Sequence, residues 1–141
     1  MEELSIWDAN FIVVDVETTG NNPRDNRIID IAAVNVNNGQ ITGEFSSLIN
    51  PHQFIPYFIT QMTGITNEAV FYAPEPSAIA PKLLSFSNKP NAVFVAHNAN
   101  FDFSFVNETL KRLKLPPLEI PVLDTLKLAK RLLAKRKVLV I

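Results

Sequence analysis

The clearest pattern in the chain is an unbroken apolar run that ends in two acids. Residues 11–20 read Phe-Ile-Val-Val-Asp-Val-Glu-Thr-Thr-Gly. Apolar residues on both faces are typical of a central strand that is covered on both sides. Side-chain alternation puts Asp15 and Glu17 on one face, about 7 Å apart. Buried together, these acids would repel each other unless a cation lay between them. The alternative is a strand end that emerges into water with two solvated acids.

Further along, β-branched residues and a turn signal predict two more strands. Residues 27–37 are rich in β-branched side chains, and residues 41–49 continue the apolar pattern. Asn38-Gly39 between them is a strong signal for a two-residue hairpin. The first third of the chain therefore predicts a three-stranded antiparallel meander whose first strand carries the acids.

The rest of the chain alternates between helical patterns and short apolar runs. Helices are predicted over residues 55–63, 77–86 and 125–134 and from a cap at Asn98 or Asn100 to about residue 113, and strands over residues 92–96 and 120–123. Because a helix precedes residues 92–96, that strand is expected to lie parallel to the first. This order predicts an α/β fold, with a mixed sheet and helices on both faces.

Length and composition narrow the class of protein. The 141 residues fit one domain, and 47% apolar with 19% charged residues is ordinary for a globular protein. No run approaches the ~18 apolar residues that a membrane span requires, and the N-terminus has no signal-peptide character. We therefore expect no membrane association and a cytoplasmic location. With no cysteine, a thiolate metal site or nucleophile is excluded.

Charge is distributed unevenly along the chain. Residues 1–110 hold 4 basic and 12 acidic side chains, whereas residues 111–141 hold 9 basic and 2 acidic ones. The basic segment could meet a polyanion, or it could form the solvated faces of two helices.

A third acid, Asp102, falls in the first turn of a predicted helix that directly follows the strand over residues 92–96. An acid there is also favoured simply by the helix dipole. If the two strands pair in parallel, however, Asp102 arrives at the end where Asp15 and Glu17 emerge. Three converging carboxylates, with no cysteine or histidine cluster, favour hard cations such as Mg²⁺ or Mn²⁺. A carboxylate cluster that holds two such ions is suited to in-line displacement at phosphorus.

Three ordered segments carry a resemblance to a known family. They are Asp15-Val-Glu-Thr-Thr-Gly, Met62-Thr-Gly-Ile-Thr and Val95-Ala-His-Asn-Ala-Asn-Phe-Asp. In this order and spacing they resemble the DEDD 3′–5′ exonucleases, above all the proofreading exonucleases of the polymerase III epsilon-subunit and PolC type. The segment that begins at Asp124 resembles a further part of the family.

The resemblance implies a ribonuclease H-like, five-stranded sheet of order 3-2-1-4-5 with strand 2 antiparallel. It implies that Asp15, Glu17 and Asp102 bind two divalent ions, Mg²⁺ or Mn²⁺, and that the substrate is the 3′ end of single-stranded DNA. A replicative polymerase subunit is the implied partner. The residues implied to contact the substrate are Thr18, Gly64, Ile65, Thr66 and Asn98. Gly64 could equally be a helix C-cap, and Asn98 a helix N-cap.

The family also has a third motif, a histidine general base followed five residues later by a fourth acidic ligand. The sequence stops 17 residues after Asp124, so residues 1–141 are interpreted as a single exonuclease domain without that third-motif helix. His97 closes an apolar strand and is interpreted as a packed, hydrogen-bonded residue, not as the base. Weak or absent turnover is expected, since losing a general base typically costs ~10²–10⁴ in rate. The alternatives are a non-catalytic module that binds DNA ends or a polymerase, and an RNA-trimming exoribonuclease.

Overall fold

The apolar run at the start of the chain forms the central strand of a five-stranded sheet of order β3-β2-β1-β4-β5. The computed structural model describes residues 5–134. The strands are β1 (Asn10–Thr18), β2 (Ile28–Asn37), β3 (Gln40–Leu48), β4 (Ala92–Ala96) and β5 (Val122–Asp124). The helices are α1 (Tyr57–Thr63), α2 (Asn67–Phe71), α3 (Pro76–Ser87), α4 (Ala99–Arg112) and α5 (Thr125–Leu132).

Strand directions match the sequence-based expectation. β2 lies antiparallel to β1 and to β3, whereas β4 lies parallel to β1 and to β5. Asn38 and Gly39 both have positive φ angles, as the two-residue hairpin turn requires. The α/β class, the ribonuclease H-like strand order 3-2-1-4-5 and the antiparallel second strand are therefore confirmed.

The main core lies between one face of the sheet and the helices α3 and α4. Alternate residues of β1 point into it, and each of them is almost completely buried: Ile12, Val14 and Val16. Phe94 from β4 and Phe105 from α4 fill the same core. Because α4 is held by this packing, the position of its first turn relative to the end of β1 is fixed.

A smaller cluster holds α1 and α2 at the end of the sheet near Glu17. Ile55, Ile59, Ile65 and Val70 pack there on Ile29 of β2, with Leu48 of β3 at the margin. Leu48 is the register partner of Asp30, which itself pairs with Glu17. These two helices therefore cover the face of the sheet that carries Glu17, opposite the main core.

The two faces of β1 are covered to different degrees: one face is buried in the main core, and the other is covered only in part. The face with Asp15 is only partly covered, and the Val13 side chain is 39% exposed. Ala9, Val93 and Val95 form a small cluster on this face together with Phe11 and Leu123. The apolar run itself could not reveal this, because an apolar strand face has the same sequence pattern whether or not a helix covers it.

Of the basic residues after Glu108, Lys111 and Arg112 lie in the last turn of α4, Lys114 follows that helix, and Lys127, Lys130 and Arg131 lie in α5. Residues 135–137, which complete the basic segment, fall outside the described part of the chain. Within that part, none of the helices combines the length and the apolar character needed to cross a membrane.

Candidate active site

Two carboxylates extend from the sheet face opposite the main core. Asp15 and Glu17 occupy alternate positions of β1 and therefore point the same way, with Asp15 exposed and Glu17 half-buried. In the β1–β2 ladder Asp15 pairs with Ala32 and Glu17 pairs with Asp30. Like charges directly opposite each other on a sheet are unfavourable. This end of the sheet therefore carries a concentration of negative charge that the fold must accommodate.

Asp102 reaches the same place from the other side of the sheet. It lies in the first turn of α4 and is only 5% exposed. Its Oδ2 accepts a hydrogen bond of 3.1 Å from the backbone N–H of Val16. Val16 stands between Asp15 and Glu17 in β1, so this hydrogen bond brings Asp102 to the segment of β1 that carries the other two acids.

The titration behaviour of these acids reflects their proximity. Burial raises the pKa of Asp102 to about 7, the Val16 N–H opposes this, and the charges of Asp15 and Glu17 add to it. Burial also raises the pKa of Glu17, and Asp15 and Asp30 raise it further. The acids therefore form one electrostatic unit in which each negative charge disfavours the others.

Asp30 is a member of this unit that the sequence analysis did not identify. Burial raises the pKa of its carboxyl group, the backbone N–H of Ile31 opposes the shift, and Asp15 adds to it. The negative charge of Asp15 thus acts on Glu17, Asp30 and Asp102 alike. A signal was present in the sequence, because Asp30 is an acid within the apolar strand Ile28-Ile-Asp-Ile-Ala.

The donor chemistry of this unit fits a hard divalent cation. All the candidate ligands are carboxylate oxygens, which suit Mg²⁺ or Mn²⁺, and a cation would relieve their mutual repulsion. Among residues 5–134, no three His, Cys, Asp or Glu side chains already form a cluster with the geometry to hold an ion. The assignment of Asp15, Glu17 and Asp102 as metal ligands therefore remains a prediction.

The residues predicted to contact the substrate from the α1–α2 region have clear structural roles. Gly64 ends α1 with a left-handed backbone (φ 76°), and its N–H donates to the carbonyl of Thr60. The Ile65 side chain is buried in the small α1–α2 cluster. The Thr66 hydroxyl caps α2 by accepting from the N–H of Ala69 at 3.1 Å. These roles fix the backbone of residues 64–66, and substrate contact by it remains a prediction.

Thr18 and Asn98 lie at the ends of β1 and β4. Thr18 is buried, and its hydroxyl donates to the carbonyl of Gly20 at 2.6 Å. Asn98 precedes α4 with a left-handed backbone (φ 62°), and its side chain makes no capping hydrogen bond. Its backbone N–H instead donates to Oδ1 of Asp124 at 3.0 Å. The exposed Asn98 amide is therefore available to a ligand, whereas the Thr18 hydroxyl already donates to the turn and can only accept from a ligand.

Asp124 and His97 connect this region to α5. Burial acts to raise the pKa of Asp124, but hydrogen bonds from four backbone N–H groups, led by that of Ala99, outweigh it and lower the pKa. His97 is exposed, and its Nδ1 lies 3.0 Å from the hydroxyl of Thr125. His97 is thus hydrogen-bonded as expected but is not packed, because β4 ends at Ala96.

Asp102→Asn is expected to remove a pH-dependent part of the stability. The raised pKa of Asp102 means that the folded protein binds this proton more tightly than the unfolded chain does. The stability that this tighter proton binding contributes to the folded state is therefore fully present below pH about 4. It is lost as the pH rises through about 7. Above pH 7 the variant should be more stable than wild type by about 1–4 kcal/mol, since one pKa unit corresponds to about 1.4 kcal/mol.

Urea denaturation of both proteins at pH 4, 6 and 8, followed by circular dichroism, measures this difference. Asp8→Asn, at an exposed acid near the opposite end of β1, is the matched control and should show no such trend. A gain in stability that is the same at all three pH values would contradict the assigned cause.

Comparison with known proteins places this geometry in a family. The family model for exonucleases of the RNase T type matches residues 12–139. The 3′-5′ exonuclease DinG of Bacillus subtilis is 46% identical over 121 residues, which cover 85% of this chain and 13% of that protein. The PolC-type DNA polymerase III of Thermotoga petrophila is 40% identical over 132 residues, which cover 94% of this chain and 10% of that protein.

Solved structures agree on the fold. The zinc-bound form of the E. coli ExoI–ssDNA complex superposes with a TM-score of 0.79 at 19% identity, and the match covers 88% of this chain and 29% of that one. The chain spans only about a tenth of the length of the two curated relatives. The order of the motifs, the sheet and the family model all agree, and the chain belongs to the RNase T exonuclease family.

Proposed function

We propose that the chain is a metal-dependent 3′–5′ exonuclease domain that removes nucleotides from single-stranded DNA. The observation that carries this proposal is the hydrogen bond between Asp102 and the Val16 N–H, which ties a buried carboxylate to the backbone of β1 at the residue between Asp15 and Glu17. Such a concentration of acids is unfavourable for stability and is suited to binding cations. We further propose that residues 1–141 make up a single domain.

In this proposal Asp15, Glu17 and Asp102 hold two divalent ions, Mg²⁺ or Mn²⁺. The chemistry that such ions supply is the activation of a water molecule and stabilisation of the leaving 3′ oxygen. The residue at the end of β1, Thr18, and the backbone of residues 64–66 position the 3′-terminal nucleotide. Asn98, whose side chain makes no capping hydrogen bond, contacts the preceding part of the strand.

Turnover by this chain is proposed to be slow. Both of its histidines are engaged elsewhere, since His52 pairs with Glu75 and His97 with Thr125. We therefore assign neither histidine as the general base, and such a group typically contributes ~10²–10⁴ in rate.

The named relatives support the choice of substrate and suggest a partner. DinG is named as a 3′-5′ exonuclease, and the neighbouring ExoI structure is a complex with single-stranded DNA and zinc. Several relatives are PolC-type polymerases. We therefore propose single-stranded DNA as the substrate and a replicative polymerase as the protein with which the domain acts.

The test is single-turnover digestion with protein in excess over a labelled single strand. With Mn²⁺, a 3′-labelled strand should lose its label as mononucleotide before a 5′-labelled strand is fully degraded, and the 5′-labelled strand should shorten one nucleotide at a time. A chelator should stop both reactions, and an RNA strand of the same sequence should be cut more slowly. Internal cuts, chelator-resistant release or the absence of any release would contradict the proposal.

A further inference from the structure

The side chains that α1 turns toward solvent are unusual for an exposed helix. Phe54 just before it, and Tyr57 and Phe58 in its first turn, are 74%, 73% and 59% exposed. We call these three residues the α1 aromatic surface. Exposed aromatic residues grouped in this way mark binding sites more often than scattered apolar residues do.

The orientation of this surface is fixed by the other side of the helix. Ile59 is buried in the small cluster with Ile55 and Ile65, and Gly64 ends the helix with a backbone hydrogen bond. The aromatic rings are therefore held outward by a packed helix, and their exposure does not result from fraying of the chain.

The α1 aromatic surface lies on the helix that leads into the segment proposed to hold the nucleotide. Met62, which is 74% exposed, lies four residues after Phe58 on the same face of the helix. That spacing corresponds to a rise of about 6 Å, and residues 64–66 follow directly. Exposed side chains thus precede the segment proposed to hold the 3′-terminal nucleotide, at Met62 and Phe58 on α1 and at Phe54 before the helix.

The charge of this region indicates how a ligand would bind there. Apart from His52, which pairs with Glu75, the only charged side chain in residues 50–72 is Glu68. Phosphate groups would find no cations on this surface. Bases of a single strand, by contrast, present flat apolar faces that stack on aromatic rings without need of charge.

We propose that the α1 aromatic surface stacks the bases of the two nucleotides that lie immediately before the 3′-terminal dinucleotide. This inference rests on the proposed function and specifies how the substrate strand leaves the site. Because stacking tolerates any base, the surface adds affinity without sequence preference. Because it lacks basic residues, the affinity that it adds is insensitive to salt, unlike binding through phosphate contacts.

Metal-free binding of labelled oligothymidylates, from dinucleotide to octanucleotide, tests the proposal. Wild-type affinity should rise with length up to the tetranucleotide, and this gain should persist between about 50 and 200 mM salt. Phe58→Ala should weaken binding of the tetranucleotide about 5- to 100-fold, the usual effect of losing one stacked base. It should leave dinucleotide binding unchanged, and Phe58→Trp should restore the gain.

Two features of the chain sharpen the experiment. Ile41, on β3 at the far end of the sheet, is 66% exposed, so Ile41→Ala is a control for loss of an exposed apolar side chain.

The chain has two tyrosines, Tyr57 and Tyr72, so protein labelled with 3-fluorotyrosine gives two ¹⁹F signals. The tetranucleotide should shift the Tyr57 signal, identified by Tyr57→Phe, whereas the dinucleotide should not.

The outcomes separate this inference from the proposed function. If oligonucleotides bind but Phe58→Ala leaves the length dependence intact, the stacking proposal is wrong and the surface serves a protein partner. The same holds if the length-dependent gain disappears as salt is raised. If no oligonucleotide of any length binds or is cleaved, the proposed exonuclease function fails first.

Discussion

Replacing Asp15 by asparagine is expected to weaken Mn²⁺ binding at least about 100-fold. Changing a group that merely supports a metal ligand typically costs 10–100-fold in affinity, and loss of a ligand itself should cost no less. Asp15 is the appropriate position because its charge acts on Glu17, Asp30 and Asp102 together. The release of 3′-terminal nucleotides should fall at least as far, since a bound metal contributes several kcal/mol to such reactions.

Calorimetric titration with Mn²⁺ measures the first effect, and the single-turnover digestion measures the second. Asp8→Asn makes the same chemical change at an exposed acid before β1 and should bind the ion as wild type does. Circular dichroism should confirm that both variants are folded. If Asp15→Asn bound Mn²⁺ with unchanged affinity, the proposed metal site would be wrong, however the activity responded.

Phe105→Ala is expected to lower the free energy of unfolding by about 3–5 kcal/mol, the usual cost of deleting a buried aromatic side chain. Phe105 is fully buried in the main core and packs against Phe101 with ring centroids 4.8 Å apart. A domain of this size is stable by about 5–15 kcal/mol, so the loss is a large part of the total. Because α4 carries Asp102 one turn earlier, the variant should also bind Mn²⁺ more weakly.

Urea denaturation compares this variant with Phe71→Ala, which removes the same side chain from a position that is 68% exposed. The control should change stability by less than about 1 kcal/mol, since exposed substitutions have small effects. Equal losses in the two variants would show that the core assignment of Phe105 is wrong.

The strands were predictable because their signals are local. Asn38-Gly39 can form the hairpin turn with little strain, and Gly64 ends α1 because its positive φ angle suits glycine. The start of α1 was harder to predict. The sequence pattern places it at residue 55, whereas the helix begins at Tyr57, directly after Pro56. The convergence of Asp102 with Asp15 followed from one inference alone, that β4 lies parallel to β1.

The features that the sequence did not reveal depend on contacts between distant segments. Asp30 joins the acidic unit only through the β1–β2 register, which no turn residue specifies. The exposure of Val13 and the hydrogen bond that occupies the Thr18 hydroxyl depend equally on the assembled structure. The preference of a residue for helix, strand or turn cannot specify such contacts between distant segments. A resemblance to proteins of known architecture can predict some of these contacts.

Helix α4 is attached to the chain around β1 at two points. Near its start Asp102 accepts from the N–H of Val16, and at its end the Arg112 guanidinium donates to the carbonyl groups of Pro23, Arg24 and Asn26. The two side chains are separated by ten residues, about 15 Å of helix. Inserting or deleting one residue between them would turn one contact about 100° away from its partner. A change of chain length between Asp102 and Arg112 would therefore break the attachment of α4 at one of its two ends.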